Sequence, residues 1–297
     1  MRLMNNLKKA AGAAIAAIMF AALNAAPLTA FSVLPMKIEL NAAPGASYTT
    51  SIVIDNTGSD ELQMGRVYIQ DWDKQPSGKD VYRESGEVDR SCGGWITLSQ
   101  SQFNVPAGEK AEARFSFSVP QDASGLYWTF IMVEGMPTPQ KPSAEDGRFK
   151  AAITTNMRYG VRVFINVKSG IAARGELSSL TVSRPDAQSE FKDSPLIANI
   201  GFFNTGNTLL TPHGVLEVRT LAGKTIHTEA VSYEKKYVIP GRERIVTVPI
   251  EARLAPDEYV ALVIMDYGGE KLVAGQTSFT SKNISTTALT GYEIDRK

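Results

Sequence analysis

The stretch over residues 153–167, ITTNMRYGVRVFINV, alternates between apolar and polar side chains almost without interruption. Apolar side chains and Thr155 occupy the odd positions, and Phe164 is the exception at the even ones. A period of two residues is typical of a β-strand with one buried face. Because the usual strand has about 5–6 residues, a strand over this whole stretch is longer than its own domain needs. The additional residues of this strand therefore need another strand as a partner.

Short runs rich in β-branched and aromatic residues recur along the chain and are separated by Gly, Pro, Asn and Asp. In the first half they are SYTTSIVIDNTG, ELQMGRVYIQDW, FNVPAGEKAEARFSFSVP and GLYWTFIMVEG. No segment after residue 30 shows a convincing helical period of 3.6 residues. The pattern predicts an all-β fold.

The second half of the chain repeats short motifs of the first half in the same order. The matched segments are 56–58 (NTG) with 204–206 (NTG), 105–109 (VPAGE) with 239–243 (IPGRE), and 124–127 (SGLY) with 256–259 (PDEY). Three ordered matches predict two related immunoglobulin-like β-sandwiches in tandem. We expect the first domain over residues 31–170, the second over 171–281, and a polar tail over 282–297 that frays.

The first thirty residues predict export. Arg2, Lys8 and Lys9 precede an apolar run over residues 10–26, and small residues follow up to Ala30. This order is typical of a signal peptide that is cleaved near Ala30. The run is shorter than the roughly 20 apolar residues that a spanning helix needs, so we expect a periplasmic protein whose mature form is not inserted into a membrane.

Charge and cysteine content limit the function further. Without residues 1–30 the chain has 28 basic and 31 acidic residues, which is not the strongly basic balance of a nucleic-acid-binding protein. Cys92 is the only cysteine, so no intrachain disulfide can form. We expect Cys92 to be a buried small apolar residue and not a reactive thiol.

An enzymatic function has little support in the sequence. His213 and His227 lie in different segments without a ligand cluster, and no nucleophile or phosphate-binding motif is present. The stretch DWDKQPSGKD from Asp71 lacks the ligand spacing of a calcium loop, and we interpret it as a solvated hairpin. We therefore expect no catalysis, no cofactor and no metal ion.

Four segments between residues 31 and 167 resemble motifs of one protein family. They are FSVLPMKIEL at 31–40, IDNTG at 54–58, VPQD with LYW at 119–128, and GVRVF at 160–164. Together they resemble the periplasmic chaperones of chaperone–usher pilus assembly, the PapD-like superfamily. The second half resembles a generic bacterial immunoglobulin-like module instead.

The resemblance implies donor-strand complementation, in which a chaperone supplies the strand that a pilus subunit lacks. By this resemblance the donated side chains are Ile153, Thr155 and Met157, which we expect to lie outside the chaperone's own core. The implied partners are secreted pilus-type subunits and an outer-membrane usher. A long apolar edge strand also invites self-association.

The resemblance further implies two basic residues that bind the C-terminal carboxylate of the subunit. Lys37 and Arg162 match these positions, and an arginine can donate two parallel hydrogen bonds to a carboxylate. The spacing is equally compatible with two solvated strand residues, and Arg158 on the same strand face is a competing anchor. The sequence thus predicts a periplasmic chaperone, and the alternative is a structural or adhesive immunoglobulin-like envelope protein.

Overall fold

The computed structural model of the chain describes residues 31–136, 156–282, 284 and 287–296. The predicted signal peptide, residues 1–30, lies outside the described residues, as do Ile153 and Thr155. No helix among the described residues is long and apolar enough to cross a membrane.

The described residues form β-strands and one 3₁₀ turn at Gly93–Trp95, so the predicted all-β fold is confirmed. The strands of the first half are β1 (Ser32–Leu34), β2 (Lys37–Ala42), β3 (Ser47–Asp55), β4 (Gln63–Lys74), β5 (Asp80–Arg83), β6 (Ile96–Leu98), β7 (Gln102–Val105), β8 (Lys110–Ser118), β9 (Gly125–Gly135) and β10 (Arg158–Val167). Those of the second half are β11 (Glu176–Ser183), β12 (Leu196–Phe203), β13 (His213–Thr220), β14 (Thr225–Ser232), β15 (Glu243–Ile250), β16 (Glu258–Asp266), β17 (Lys271–Thr280) and β18 (Thr290–Asp295).

The first β-sandwich consists of two sheets. One has the strand order β1-β3-β8-β6, and the other has the order β2-β10-β9-β4-β5 with β7 also paired to β4. Alternate side chains of both sheets meet in one buried core, to which Ile54 and Phe115 contribute from the first sheet and Val161 and Val163 from the second. Period-two alternation in the sequence thus corresponds to one buried face on each sheet.

The N-terminal segment takes part in both sheets of the first sandwich. β1 pairs antiparallel with β3, whereas β2, which follows two residues later, pairs in parallel with β10. The chain therefore crosses between the sheets just before Lys37. This crossing determines how much of β10 is covered.

The second β-sandwich has the sheets β11-β12-β15 and β14-β13-β16-β17-β18. Its core is separate from the first and includes Ile200, Phe202, Tyr233, Val263 and Phe279. The predicted pair of β-sandwiches is therefore present, and the boundaries at residues 31–170 and 171–281 stay a prediction.

The repeated asparagine has the same structural role in both sandwiches. Asn56 follows β3, and its Nδ2 donates to the carbonyl oxygens of Val105 at 3.0 Å and Pro106 at 2.9 Å. Asn204 follows β12, and its Nδ2 donates to the carbonyl oxygen of Val238 at 2.9 Å. Both asparagines are almost completely buried. Each one adds a buried side-chain donor to carbonyl groups of a loop, two of which also accept a backbone N–H, from Glu109 at Pro106 and from Leu210 at Val238.

The repeat has a different register from the one that the sequence suggests. The sequence match aligns Gly108 with Arg242, but in the structure Gly108 corresponds to Gly241. The N–H of Gly108 donates to the carbonyl oxygen of Asn56 at 3.1 Å, and that of Gly241 donates to Asn204 at 2.9 Å. Both glycines have positive φ angles, 74° and 69°, which glycine adopts without steric cost. The loop conformation, not the neighbouring glutamates, aligns the two repeats.

The C-terminal tail is ordered where we expect fraying, so that expectation is wrong for residues 290–295. These residues form β18, which pairs antiparallel with β17. The tail is polar, as predicted, and its side chains are mostly exposed. The backbone hydrogen bonds to the free edge of β17 hold it in place, and composition alone does not reveal such bonds.

Cys92 lies in the core of the first sandwich and is completely buried, which confirms the predicted environment. Burial raises the pKa of the Cys92 thiol far above its ordinary value, and the nearby Asp71 carboxylate raises it further. The thiol is therefore protonated and inaccessible in the folded protein.

Candidate strand-donor edge and carboxylate site

The predicted long strand is shorter in the structure. β10 begins at Arg158, and Asn156 and Met157 lie outside any strand, so the predicted start at residue 153 is wrong for these two residues. Its antiparallel partner β9 ends at Gly135, whose N–H donates to the Met157 carbonyl oxygen at 2.9 Å. Among the described residues, this bond is the last one between the two segments beyond the ladder of β9 and β10.

One edge of β10 is covered over only part of its length. β9 pairs with β10 from Arg158 to Val167. On the other side, β2 pairs with β10 only from Arg162 onward, because Lys37 is the first residue of β2. Within the part of the chain that the structure describes, no strand pairs with residues 158–161 on that side.

The backbone groups of Arg158 and Gly160 point toward this bare edge. Successive residues of a strand direct their N–H and C=O groups to opposite sides. The N–H of Arg162 donates to Met36 on the β2 side at 3.1 Å, whereas the Met157 carbonyl oxygen points toward β9. The even-numbered residues therefore present their hydrogen-bonding groups away from β9, where a strand from another chain could bind.

The odd-numbered side chains near this edge face the core of the first sandwich. Met157 is half-buried and packs against that core. Tyr159 packs edge-to-face on Phe31 with ring centroids 5.1 Å apart, and its hydroxyl donates to the Phe31 carbonyl oxygen at 2.5 Å. The expectation that Met157 lies outside the chain's own core is therefore wrong. Its role as a donated side chain stays a prediction, as do those of Ile153 and Thr155.

The two predicted anchor residues are neighbours. Arg162 lies directly opposite Lys37 in the parallel pair of β10 and β2, so both side chains project from the outer face of the sheet. The Arg162 guanidinium lies 5.5 Å from the centroid of the Phe130 ring, and the Lys37 ammonium lies 5.5 Å from that of Phe164. Both cations therefore lie over aromatic rings of the first sandwich.

Each of these cations already has a carboxylate partner. Lys37 Nζ lies 2.6 Å from Glu39 Oε1, and Arg162 Nη2 lies 2.5 Å from Asp80 Oδ2. Asp80 also accepts a hydrogen bond from Lys74 at 2.7 Å. Burial raises the pKa of the Asp80 carboxyl, but the hydrogen bonds from Lys74 and Arg162 outweigh burial and leave the pKa below its ordinary value.

Arg162 keeps unused capacity to donate hydrogen bonds. Its Nε is buried and has no partner among the described residues. Arg158, the competing anchor, is exposed; its guanidinium lies 5.1 Å from the ring centroid of Tyr82 and 5.7 Å from that of Tyr68. Arg158 thus lies further along the same face, beside the bare edge, and the anchor roles stay a prediction.

The stretch from Asp71 forms the predicted hairpin between β4 and β5, but it is not solvated on all sides. Asp73 accepts hydrogen bonds from Arg242 Nε at 2.6 Å and 2.8 Å. The N–H of Ile245 donates to the Pro76 carbonyl oxygen at 2.8 Å. The hairpin therefore joins the first sandwich to the second, which its polar composition does not indicate.

An apolar cluster lies beside this hairpin on the outer face of the first sandwich. Its buried members are Trp72, Val88, Leu126, Trp128, Phe130, Met132, Phe164 and Ile239. Ile239 comes from the second sandwich and completes a cluster that otherwise belongs to the first. The sequence signal for this cluster is Phe164, the one apolar side chain at an even position of the alternating stretch.

The described residues contain no group of three or more His, Cys, Asp or Glu side chains arranged to hold a metal ion. His213 is exposed on β13, and His227 is half-buried on β14.

No protein-family model matches the chain, and no curated protein matches it. Among solved structures, the chain is similar to the class 5 fimbriae chaperone CfaA, with 13% identity, a TM-score of 0.44, and coverage of 90% of this chain and 100% of that one. It is also similar to the CsuC–CsuE chaperone–tip adhesion subunit pre-assembly complex from archaic chaperone-usher Csu pili of Acinetobacter baumannii, with 15% identity, a TM-score of 0.40, and coverage of 76% and 97%. The YadV chaperone is similar as well, with 7% identity, a TM-score of 0.40, and coverage of 89% of this chain and 99% of that one. Fimbrial chaperones of the PapD-like superfamily, which the sequence motifs resemble, are thus among the solved structures similar to this chain.

Proposed function

We propose that this chain is a periplasmic chaperone that binds secreted pilus-type subunits by adding the bare edge of β10 to their sheet. The half-covered edge carries the proposal, because a strand with unpaired backbone groups is a template for pairing with another chain. Residues 1–30 direct export and are removed, so N-terminal sequencing of the envelope protein should begin at or near Phe31. An outer-membrane usher is a further proposed partner.

The side chains at the bare edge favour pairing with a strand of another protein over pairing with the same edge of a second copy. Arg158 and Arg162 place two positive charges along the outer face at this edge, and like charges oppose antiparallel pairing of two copies. The odd-numbered positions N-terminal to β10 hold Ile153, Thr155 and Met157, and Met157 would have to leave its contact with the first core to enter a partner. Alternate side chains of this kind fill the pockets of a partner in strand addition.

The cation pair beside the edge fits the end of a polypeptide chain. A subunit carboxylate placed between Lys37 and Arg162 would accept charge-assisted hydrogen bonds from the Lys37 ammonium and from the outer guanidinium nitrogens of Arg162. Asp80 would not be left without a partner, because Lys74 still donates to it. The site can therefore exchange an internal carboxylate for that of a subunit without leaving a buried charge unpaired.

The test compares Arg158→Pro with Arg158→Ala in the tagged full-length protein expressed in its own host. Both variants lose the cation, but only proline loses the N–H that points toward the bare edge. One lost hydrogen bond of about 0.5–1.5 kcal/mol, together with the bulk of the ring, should lower the amount of co-purified exported subunits about tenfold relative to Arg158→Ala. Mass spectrometry of the eluates measures the difference, and equal melting temperatures serve as the folding control.

Capture by both variants at the level of the unchanged protein would refute strand addition through β10. The structural or adhesive immunoglobulin-like envelope protein would then be the better hypothesis. Equal loss of capture in both variants relative to the unchanged protein would instead make Arg158 the anchor in place of Lys37 and Arg162.

A further inference from the structure

Strand β17 of the second sandwich has a covered edge, in contrast to the bare edge of β10. β18 pairs with the N-terminal part of β17. Further along, the N–H of Thr287 donates to the Ser278 carbonyl oxygen at 2.9 Å, and that of Ile284 donates to Thr280 at 3.0 Å. We call the described residues between 284 and 296 the edge cap. Together they cover the outer edge of β17 along its length.

Apart from Lys271, its first residue, β17 has no charged side chain that would protect this edge. From residue 272 to residue 280, β17 has the sequence LVAGQTSFT, which contains no charged residue and no proline. Strands of this composition pair readily with other strands when their edges are free, and natural edge strands usually carry a charge or a proline to prevent it. β10 carries Arg158 and Arg162. In the second sandwich such charges lie on the cap, as Glu293, Asp295 and Arg296.

The edge cap contributes few buried side chains. Of the side chains of β18, only that of Ile294 is even half-buried. Lys271 forms ion pairs with Glu293 at 3.1 Å and Asp295 at 3.8 Å, and exposed ion pairs contribute little to stability. The apolar contacts come from Ile284 and Leu289, which are half-buried against the second core. Backbone hydrogen bonds, which any extended strand can supply, therefore hold most of the cap.

We propose that the outer edge of β17 is a strand-accepting surface, and that the edge cap occupies it in place of the same edge of a second copy of this chain. The bond from Thr287 to Ser278 indicates that even-numbered residues of β17 direct their backbone groups toward this edge. Two such edges can pair antiparallel about a twofold axis, and no like charges would oppose them. The cap thus keeps the second sandwich from self-associating, independently of what β10 binds.

The test compares Tyr292→Pro with Tyr292→Ala in the full chain. Tyr292 pairs with Ala274, so its N–H points toward β17. Its side chain is 43% exposed, and both variants remove it, but only proline removes the N–H. In Tyr292→Pro we expect fast hydrogen exchange in the cap. We also expect a dimer dissociation constant at least about tenfold lower than in Tyr292→Ala, measured by sedimentation over a concentration series.

Two further readouts identify the interface. The amides of Ala274 and Gln276 should stay protected in the dimer, and addition of Arg158→Pro should leave the dimer intact, which separates it from self-association through β10. The proposal is overturned if the cap of Tyr292→Pro exchanges as slowly as that of Tyr292→Ala. It is also overturned if the cap is released and the dissociation constant does not change, or if the β17 amides exchange freely in the dimer.

Discussion

At the scale of single residues, the outer face of the first sandwich combines two cations with carboxylates that can release them. Lys37 is paired with Glu39, and Arg162 is paired with Asp80. Asp80 has Lys74 as a second partner. A cation whose carboxylate keeps another partner can turn to a ligand at low cost, because no buried charge is left alone. We therefore regard Arg162 as the stronger of the two proposed anchors.

Replacement of Lys37 or Arg162 by alanine should weaken the capture of a secreted subunit and leave folding nearly unchanged. Truncation of one partner in a desolvated charge pair costs about 2–5 kcal/mol of binding, whereas partly exposed cations contribute little to stability. Co-purification measures the binding loss, and thermal melting measures stability.

Arg114→Ala is the matched control for these variants. Arg114 lies on β8 in the opposite sheet, is 70% exposed and forms its own carboxylate pair with Glu112 at 3.2 Å. We expect Arg114→Ala to change neither the amount of subunit that co-purifies nor the melting temperature. Capture by Lys37→Ala and Arg162→Ala at the level of Arg114→Ala would contradict the anchor role.

Sequence reasoning identified residues that lie together here and missed others. Lys37 and Arg162 were found through family motifs, and the structure pairs them across two strands. Trp72, Ile239 and Arg242 were missed, because their contacts join segments that are far apart in the chain and no local pattern records such contacts. The apolar Phe164 at a polar position was the one available signal, since its burial depends on the second sandwich.

At the scale of elements, the buried asparagine after β3 and after β12 holds a glycine-containing loop in each sandwich. Asn56 donates three hydrogen bonds to carbonyl oxygens from its buried position, and Asn204 donates two. Asn56→Ala and Asn204→Ala should each lower the free energy of unfolding by about 1–3 kcal/mol, because each variant removes two or three hydrogen bonds at a buried position. Urea denaturation measures the loss.

Asn41→Ala serves as the control for these two variants. Asn41 is exposed and accepts one side-chain hydrogen bond from Asn166 at 3.3 Å, so its removal should change stability little. If Asn56→Ala or Asn204→Ala unfolds at the same urea concentration as Asn41→Ala, the shared loop role is wrong.

The sequence predicted the ends of a strand correctly where those ends depend only on the pattern of buried side chains. β9 spans the predicted run from Gly125 to Gly135, and β3 ends just before Asn56, as its pattern indicates. The start of β10 and the structure of the tail differ from prediction because they depend on hydrogen bonding to a neighbouring strand. β10 begins where its ladder with β9 ends, and β18 forms because β17 has an open edge. Neither condition can be read from the segment itself.

At the scale of the whole molecule, the orientation of the two sandwiches depends on a contact that crosses the cleft. Ile239 is 1% exposed and packs into the aromatic cluster of the first sandwich. Arg242 bonds to Asp73 on the hairpin between β4 and β5. An apolar contact and an ion pair from one loop thus restrain the angle between the two sandwiches.

The double variant Ile239→Ala/Arg242→Ala should loosen this orientation. Removal of a buried isoleucine side chain costs about 2–5 kcal/mol, and here the cost falls on the contact between the sandwiches. We expect a larger radius of gyration in small-angle X-ray scattering and more independent melting of the two sandwiches by calorimetry.

Val238→Ala is the neighbouring control, because Val238 is equally buried but packs in the second core. It should lower the stability of the second sandwich and leave the radius of gyration unchanged. An unchanged scattering profile in the double variant would show that other contacts determine the orientation.

The burial of Cys92 has a consequence for how a complex with a partner comes apart. A lone accessible thiol on an exported protein would form mixed disulfides with the cysteines of other exported chains, since exchange needs a reachable thiolate. Cys92 is completely buried, and its raised pKa leaves almost no thiolate. Any client that this protein holds should therefore be bound without a covalent link, and its release should need no reductant.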